Sequence, residues 1–88
     1  MNDEELYKLA IAKWGDDSQV IMAIEEMSEL VQVFSKFLRG KVNRENLDEE
    51  MADVEIMLEQ MKVVFHNSEH IHEWKKRKLD RLERMVSS

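Results

Sequence analysis

Apolar side chains recur every three to four residues along most of the chain, which is the spacing of amphipathic α-helices. Gly15, Gly40 and the pair Asn67-Ser68 interrupt this pattern, and residues of these types are typical of helix boundaries. The pattern therefore predicts four helices joined by short connections. Short connections favour antiparallel neighbours, so we predict an all-α fold, a four-helix bundle of antiparallel helices.

The first predicted helix covers residues 3–14 and stops at Gly15, a natural C-terminal residue for a helix. The second begins at a cap supplied by Asp16, Asp17 or Ser18 and continues to residue 38 or 39. Gly40 follows and ends it.

The third predicted helix begins near one of two competing caps and ends near residue 65. Asn46 with Glu49 three residues later resembles a capping box, and Asn43 is the alternative. The fourth covers about residues 69–85, after Asn67-Ser68. With 88 residues in all, the chain is expected to form one domain, residues 1–88.

Composition excludes several classes of function. The chain has no Cys, which excludes disulfides and zinc–thiolate sites. It has 13 Lys and Arg against 19 Asp and Glu, a net charge of -6, so a nucleic-acid polymer is not an expected partner. No apolar run is long enough for a membrane span, and the first five residues are acidic rather than signal-like. We therefore expect no membrane partner and a cytoplasmic location.

The charges are unevenly distributed along the chain. Residues 1–70 contain 16 acidic and 7 basic side chains, whereas residues 71–88 contain 3 acidic and 6 basic ones. One interpretation is a solvated last helix with ion pairs. The other is a basic helix that binds an anionic ligand near the acidic body.

Two carboxylates lie where apolar residues are expected. With about 100° per residue, Glu26 falls inside the apolar arc of the second helix, and Glu50 falls inside that of the third. Glu29 and Asp53 follow three residues later, on the edges of the same arcs. No Lys or Arg lies inside either arc to neutralise them. Either a hard divalent cation binds there, or Glu26 and Glu50 reach solvent at the edge of the bundle.

A di-iron carboxylate bundle would need a His three residues after an inward Glu. His66, His70 and His72 complete no such motif with the central carboxylates, and surface or capping roles are expected for them. Iron and zinc are therefore not expected.

The segments Glu26-Met-Ser-Glu29 and Glu50-Met-Ala-Asp53, with twenty residues between them, resemble the ExxE…ExxD motif of the MazG-like, all-α nucleoside triphosphate pyrophosphohydrolases. The similarity also includes Trp14-Gly15, Gln19, Arg39-Gly40-Lys41 and Lys78-Leu79-Asp80-Arg81, and it extends over about residues 12–85. The double motif on two apolar faces is far more specific than a single ExxE, because Glu is common in helices.

The resemblance implies hydrolysis of a nucleoside triphosphate, ribo- or deoxyribo-, to monophosphate and pyrophosphate. It implies Mg²⁺, with Mn²⁺ as a possible substitute, held by Glu26, Glu29, Glu50 and Asp53. Glu25 or Glu29 would orient or deprotonate the attacking water. Other residues are expected to bind substrate. Lys36, Lys78 and Arg81 would bind the phosphates, with a structural ion pair as the alternative for each. Gln19 and Trp14 would bind the base, with a place in the core as the alternative for Trp14.

Self-association is expected for two reasons. The second helix is apolar over about 200° of its circumference, which is more than one partner helix in so short a chain can cover. Members of the family that the chain resembles are homodimers or homotetramers. Two rival functions stay open: a protein that binds a nucleotide without hydrolysing it, and a non-catalytic helical interaction or regulatory module.

Overall fold

The computed structural model describes residues 1–88 and is built from four α-helices without strands. Helix α1 is Asp3–Trp14, α2 is Asp16–Leu38, α3 is Arg44–Phe65 and α4 is Ser68–Val86. The all-α class and the four helices are thus confirmed, while the closing of all four into one antiparallel bundle stays a prediction. None of these helices is long and apolar enough to cross a membrane.

The structure shows which side chains cap the helix starts. Asn2 caps α1 by accepting a hydrogen bond from the Glu5 amide at 2.8 Å. At α3 the Asn43 side chain accepts from the Asn46 amide at 3.2 Å. Asn43 is therefore the cap, and the alternative that placed the cap at Asn46 is wrong.

The prediction that Asp16, Asp17 or Ser18 caps α2 is also wrong. Gly15 is the N-cap residue, with φ of 91°, and no side chain caps the helix. Asp16 and Asp17 lie in the first turn instead, where their negative charges interact favourably with the positive end of the helix dipole. At the end of α3, His66 adopts the left-handed conformation, with φ of 52°.

Helices α2 and α3 form the centre of the structure, and α1 packs against both. Helices α2 and α3 are antiparallel: residues further along α2 lie opposite residues that come earlier in α3. Gln19 meets Gln60, Glu26 meets Asp53 and Glu29 meets Glu50. The four buried apolar residues all belong to these two helices: Ala23, Val33, Leu47 and Met57.

Helix α4 packs extensively against none of the other three helices. Only its beginning borders α3, where Ile71 is half-buried. The other apolar side chains of α4 are exposed: Trp74, Leu79, Leu82, Met85 and Val86. Within one chain, therefore, α4 contributes little to the core.

Candidate metal centre

Four carboxylates meet where α2 and α3 cross in the middle of their contact. Glu26 and Glu29 are one turn apart on α2, and Glu50 and Asp53 are one turn apart on α3. Glu26, Glu29 and Glu50 each offer an oxygen, and these three oxygens lie within 4.8 Å of one another. Asp53 is within hydrogen-bonding reach of Glu26. The structure thus brings all four predicted ligands to one place.

Two oxygen atoms at this centre have no hydrogen-bond partner. Oε2 of Glu26 and Oε2 of Glu50 are buried and unpaired, although both residues as a whole are half-buried. Buried polar atoms in proteins almost always have a partner. These two oxygens therefore mark a place that is suited to a ligand, and oxygen-only donors suit a hard divalent cation.

The charged forms of these carboxyl groups are disfavoured in the folded chain. Burial is the largest cause that raises the pKa of Glu26, followed by the negative charges of Asp53 and Glu29. Burial also leads in raising the pKa of Glu50, followed by the charge of Glu29. No cation contributes to either shift. A bound divalent cation would reverse both effects, because it supplies the missing opposite charge.

These pKa shifts predict that the metal-free protein becomes more stable on mild acidification. Between the unfolded value of 4.5 and the raised folded values, the folded chain binds more protons than the unfolded chain. The free energy of unfolding therefore falls as the pH rises through this window. Urea unfolding in EDTA across that window measures the slope. A double variant, Glu26→Gln with Glu50→Gln, should have a flatter profile, and an unchanged slope would contradict the assignment.

None of the predicted phosphate-binding cations forms an ion pair with the four carboxylates in the single chain. Lys36 is exposed near the end of α2, and Lys78 and Arg81 are exposed on α4. The ion pairs of the chain join Lys8 to Glu4 and Lys62 to Glu59, each within one helix. Glu25, the alternative residue for water activation, is exposed next to Glu26, whose pKa its charge helps to raise.

Gln19 has a buried partner that the sequence analysis missed. Its Nε2 donates to Oε1 of Gln60 at 2.6 Å, and both residues are buried, with exposed fractions of 5% and 7%. Gln60 follows Asp53 by seven residues, just as Gln19 precedes Glu26 by seven, so the pair lies two turns along from the carboxylates. This equal spacing of seven residues from the two carboxylate motifs was the feature of the sequence that could have identified Gln60 as the partner of Gln19. Trp14, the other residue predicted at the base, is exposed beside Lys13.

The Gln19–Gln60 hydrogen bond predicts an asymmetry between single and double substitutions. Gln60→Leu leaves the buried amide of Gln19 unpaired, which costs about 1–3 kcal/mol of stability. Replacing both residues by Leu removes donor and acceptor together and should cost less than either single change. Urea unfolding of the two single variants and the double variant gives the coupling energy, with exposed Gln32→Leu as the control. Additive effects would show that the bond contributes nothing.

No protein-family model, curated protein or solved structure matches this chain. The carboxylate cluster and the two motifs that form it are therefore the features of this chain that bear on its function.

Proposed function

We propose that this protein is a Mg²⁺-dependent nucleoside triphosphate pyrophosphohydrolase that cleaves between the α- and β-phosphates. The observation that carries the proposal is the meeting of Glu26, Glu29, Glu50 and Asp53, with buried, unpaired oxygens on two of them. The two motifs that contain these residues also resemble those of MazG-like enzymes. Without a bound cation, the cluster would instead have to tolerate unbalanced like charges or hold some of its carboxyl groups protonated.

The four carboxylates fit a hard cation by donor type and by proximity. When bound, Mg²⁺ neutralises phosphate charge, polarises the α-phosphorus and lowers the pKa of a bound water. In our proposal Glu29 accepts a proton from the attacking water, because it is the exposed member of the three-carboxylate group. Glu25 is the alternative base. The water oxygen bonds to the α-phosphorus while the bond to the bridging oxygen breaks, and pyrophosphate leaves.

The remaining roles concern the rest of the substrate. Lys36, Lys78 and Arg81 would bind phosphate oxygens, which carry more negative charge than one cation neutralises. Gln19 and Trp14 would bind the base, and for Gln19 this requires its amide to exchange the hydrogen bond with Gln60 for one with substrate. In our proposal the protein acts as a homodimer or homotetramer.

Product analysis tests the reaction directly. The protein is incubated with each common ribo- and deoxyribonucleoside triphosphate, in Mg²⁺ and separately in EDTA, and products are separated by anion-exchange chromatography. We expect monophosphate and pyrophosphate from at least one substrate, in Mg²⁺ only. Diphosphate with orthophosphate would contradict cleavage at the α–β bond. If every nucleotide is bound but returned unchanged, the non-hydrolysing alternative is correct.

A further inference from the structure

One hydrogen bond joins side chains of α2 and α3 across the centre of the fold. Nε2 of Gln19 donates to Oε1 of Gln60 at 2.6 Å, over a sequence separation of 41 residues. Every other side-chain hydrogen bond or ion pair of the chain joins residues three or four positions apart. Apart from the carboxyl groups of the candidate metal centre, this pair is therefore the only directional contact between side chains of the two helices.

The apolar contacts of α2 and α3 do not define a register by themselves. The buried apolar residues are few, and the attraction between apolar side chains has no direction. One of them is Met57, and a methionine side chain adapts to spaces of different shape. These residues favour contact between the helices, but they allow one helix to slide along the other.

Repulsion among the ionised carboxylates favours such a slide when no cation is bound. In the observed register two pairs are opposed, Glu26 with Asp53 and Glu29 with Glu50. A slide by one helical turn, about 5.4 Å, would leave one pair opposed instead of two, whichever direction it took. Like charges repel less when they are further apart, so the metal-free chain needs another contact to keep the observed register.

Burial makes the Gln19–Gln60 pair such a contact. The two residues are exposed by only 5% and 7%, so water barely reaches their amides. A slide of one turn would separate the amides by more than the length of a hydrogen bond, and a buried amide without a partner costs free energy. Single buried polar side chains fix the register of coiled coils in the same way.

We propose that Gln60 is a positioning residue, whose hydrogen bond with Gln19 fixes the register of α2 against α3 and so keeps the four carboxylates opposed before a cation binds. Gln19 lies seven residues from Glu26, and Gln60 lies seven residues from Asp53, about 10 Å along each helix. Gln60 therefore acts through the helices and not as a ligand. The importance of this register for catalysis rests on the proposed function, whereas the register itself does not.

Spin labels measure the register in the absence of metal. The chain has no Cys, so Gln32→Cys and Glu55→Cys place two labels at exposed positions of α2 and α3. Double electron–electron resonance in EDTA, with an excess of unlabelled chain, should give one narrow distance when the glutamine pair is intact. Gln19→Met together with Gln60→Met removes the hydrogen bond but keeps the side-chain length, and it should move or split that distance by up to about 5 Å. An unchanged distance in this double variant would overturn the proposal.

Two variants separate the hydrogen bond from a general loss of packing. Val33→Ala creates a cavity at a buried apolar position seven residues after Glu26, on the opposite side of the carboxylates from Gln19. It should lower the unfolding temperature and leave the distance between the labels unchanged. Gln60→Glu keeps the oxygen that accepts from Gln19 and should also give the wild-type distance. A shift as large in Val33→Ala as in the double variant would contradict a specific role for the pair.

Mn²⁺ binding tests the consequence for the candidate metal centre. Free Mn²⁺ is measured by its electron paramagnetic resonance signal during titration of the unlabelled proteins, at a temperature where circular dichroism shows all of them folded. The double variant should bind Mn²⁺ about 10-fold more weakly than the wild type, and Val33→Ala should bind it as tightly as the wild type. Equal affinity in the double variant would overturn the positioning role alone. No binding by the wild type would instead overturn the metal centre and the proposed function together with that role.

Discussion

Replacing Glu50 by Gln is expected to lower the turnover of nucleoside triphosphate by about 100-fold or more. Glu50 supplies an oxygen to the three-carboxylate group, and its Oε2 is buried without a partner. The amide keeps the shape of the side chain but removes the negative charge that a cation requires. Asp53→Asn should have a comparable effect for the same reason. The measurement is the initial rate of pyrophosphate release in Mg²⁺.

The fold should survive the Glu50 substitution, and this separates a lost ligand from a lost structure. Because the ionised form of Glu50 is disfavoured by burial and by Glu29, the neutral amide should unfold at the same temperature or higher without metal. Exposed Glu55→Gln on the same helix is the matched control, with unchanged turnover expected. Full activity in both Glu50→Gln and Asp53→Asn would remove the metal centre from the proposal.

Mg²⁺ should stabilise the wild-type chain against unfolding, and this stabilisation can be measured without substrate. At a concentration 100 times its dissociation constant, a ligand that binds only the folded state contributes about 2.7 kcal/mol. For a chain of this size, that corresponds to a rise of about 10–20 °C in the unfolding midpoint. The rise should be reproduced by Mn²⁺ and reversed by EDTA. Calorimetry or circular dichroism against temperature gives the value.

Two comparisons identify the carboxylates as the source of this shift. The rise should be lost in Glu26→Gln and kept in Glu25→Gln, because Glu26 belongs to the three-carboxylate group and Glu25 does not. The midpoint in Mg²⁺ should also lose its dependence on mild acid, since the bound cation keeps the carboxylates ionised. An equal shift in Glu26→Gln would mean that the cation binds elsewhere on this acidic chain.

The helices themselves were predictable because their signals are local. Glycines at 15 and 40, with positive φ in the structure, separate α1 from α2 and end α2. The caps were less predictable, since several polar residues near one helix start compete for the same amide groups. At α3 this competition was decided for Asn43, and at α2 no side chain caps the helix. The sequence showed the candidates, but only backbone geometry selected among them.

The sequence by itself determined the four helices and placed Glu26, Glu29, Glu50 and Asp53 on two apolar faces, because helical periodicity assigns a face to every residue. Only the tertiary structure decided which residues face each other, since that depends on how far α2 and α3 are shifted along one another. The same shift that brings the carboxylates together joins Gln19 to Gln60. The position of α4, apart from the α2–α3 pair, likewise follows from tertiary packing and not from periodicity. An amphipathic pattern specifies that a face will be covered, but it does not specify by which helix, or from which chain.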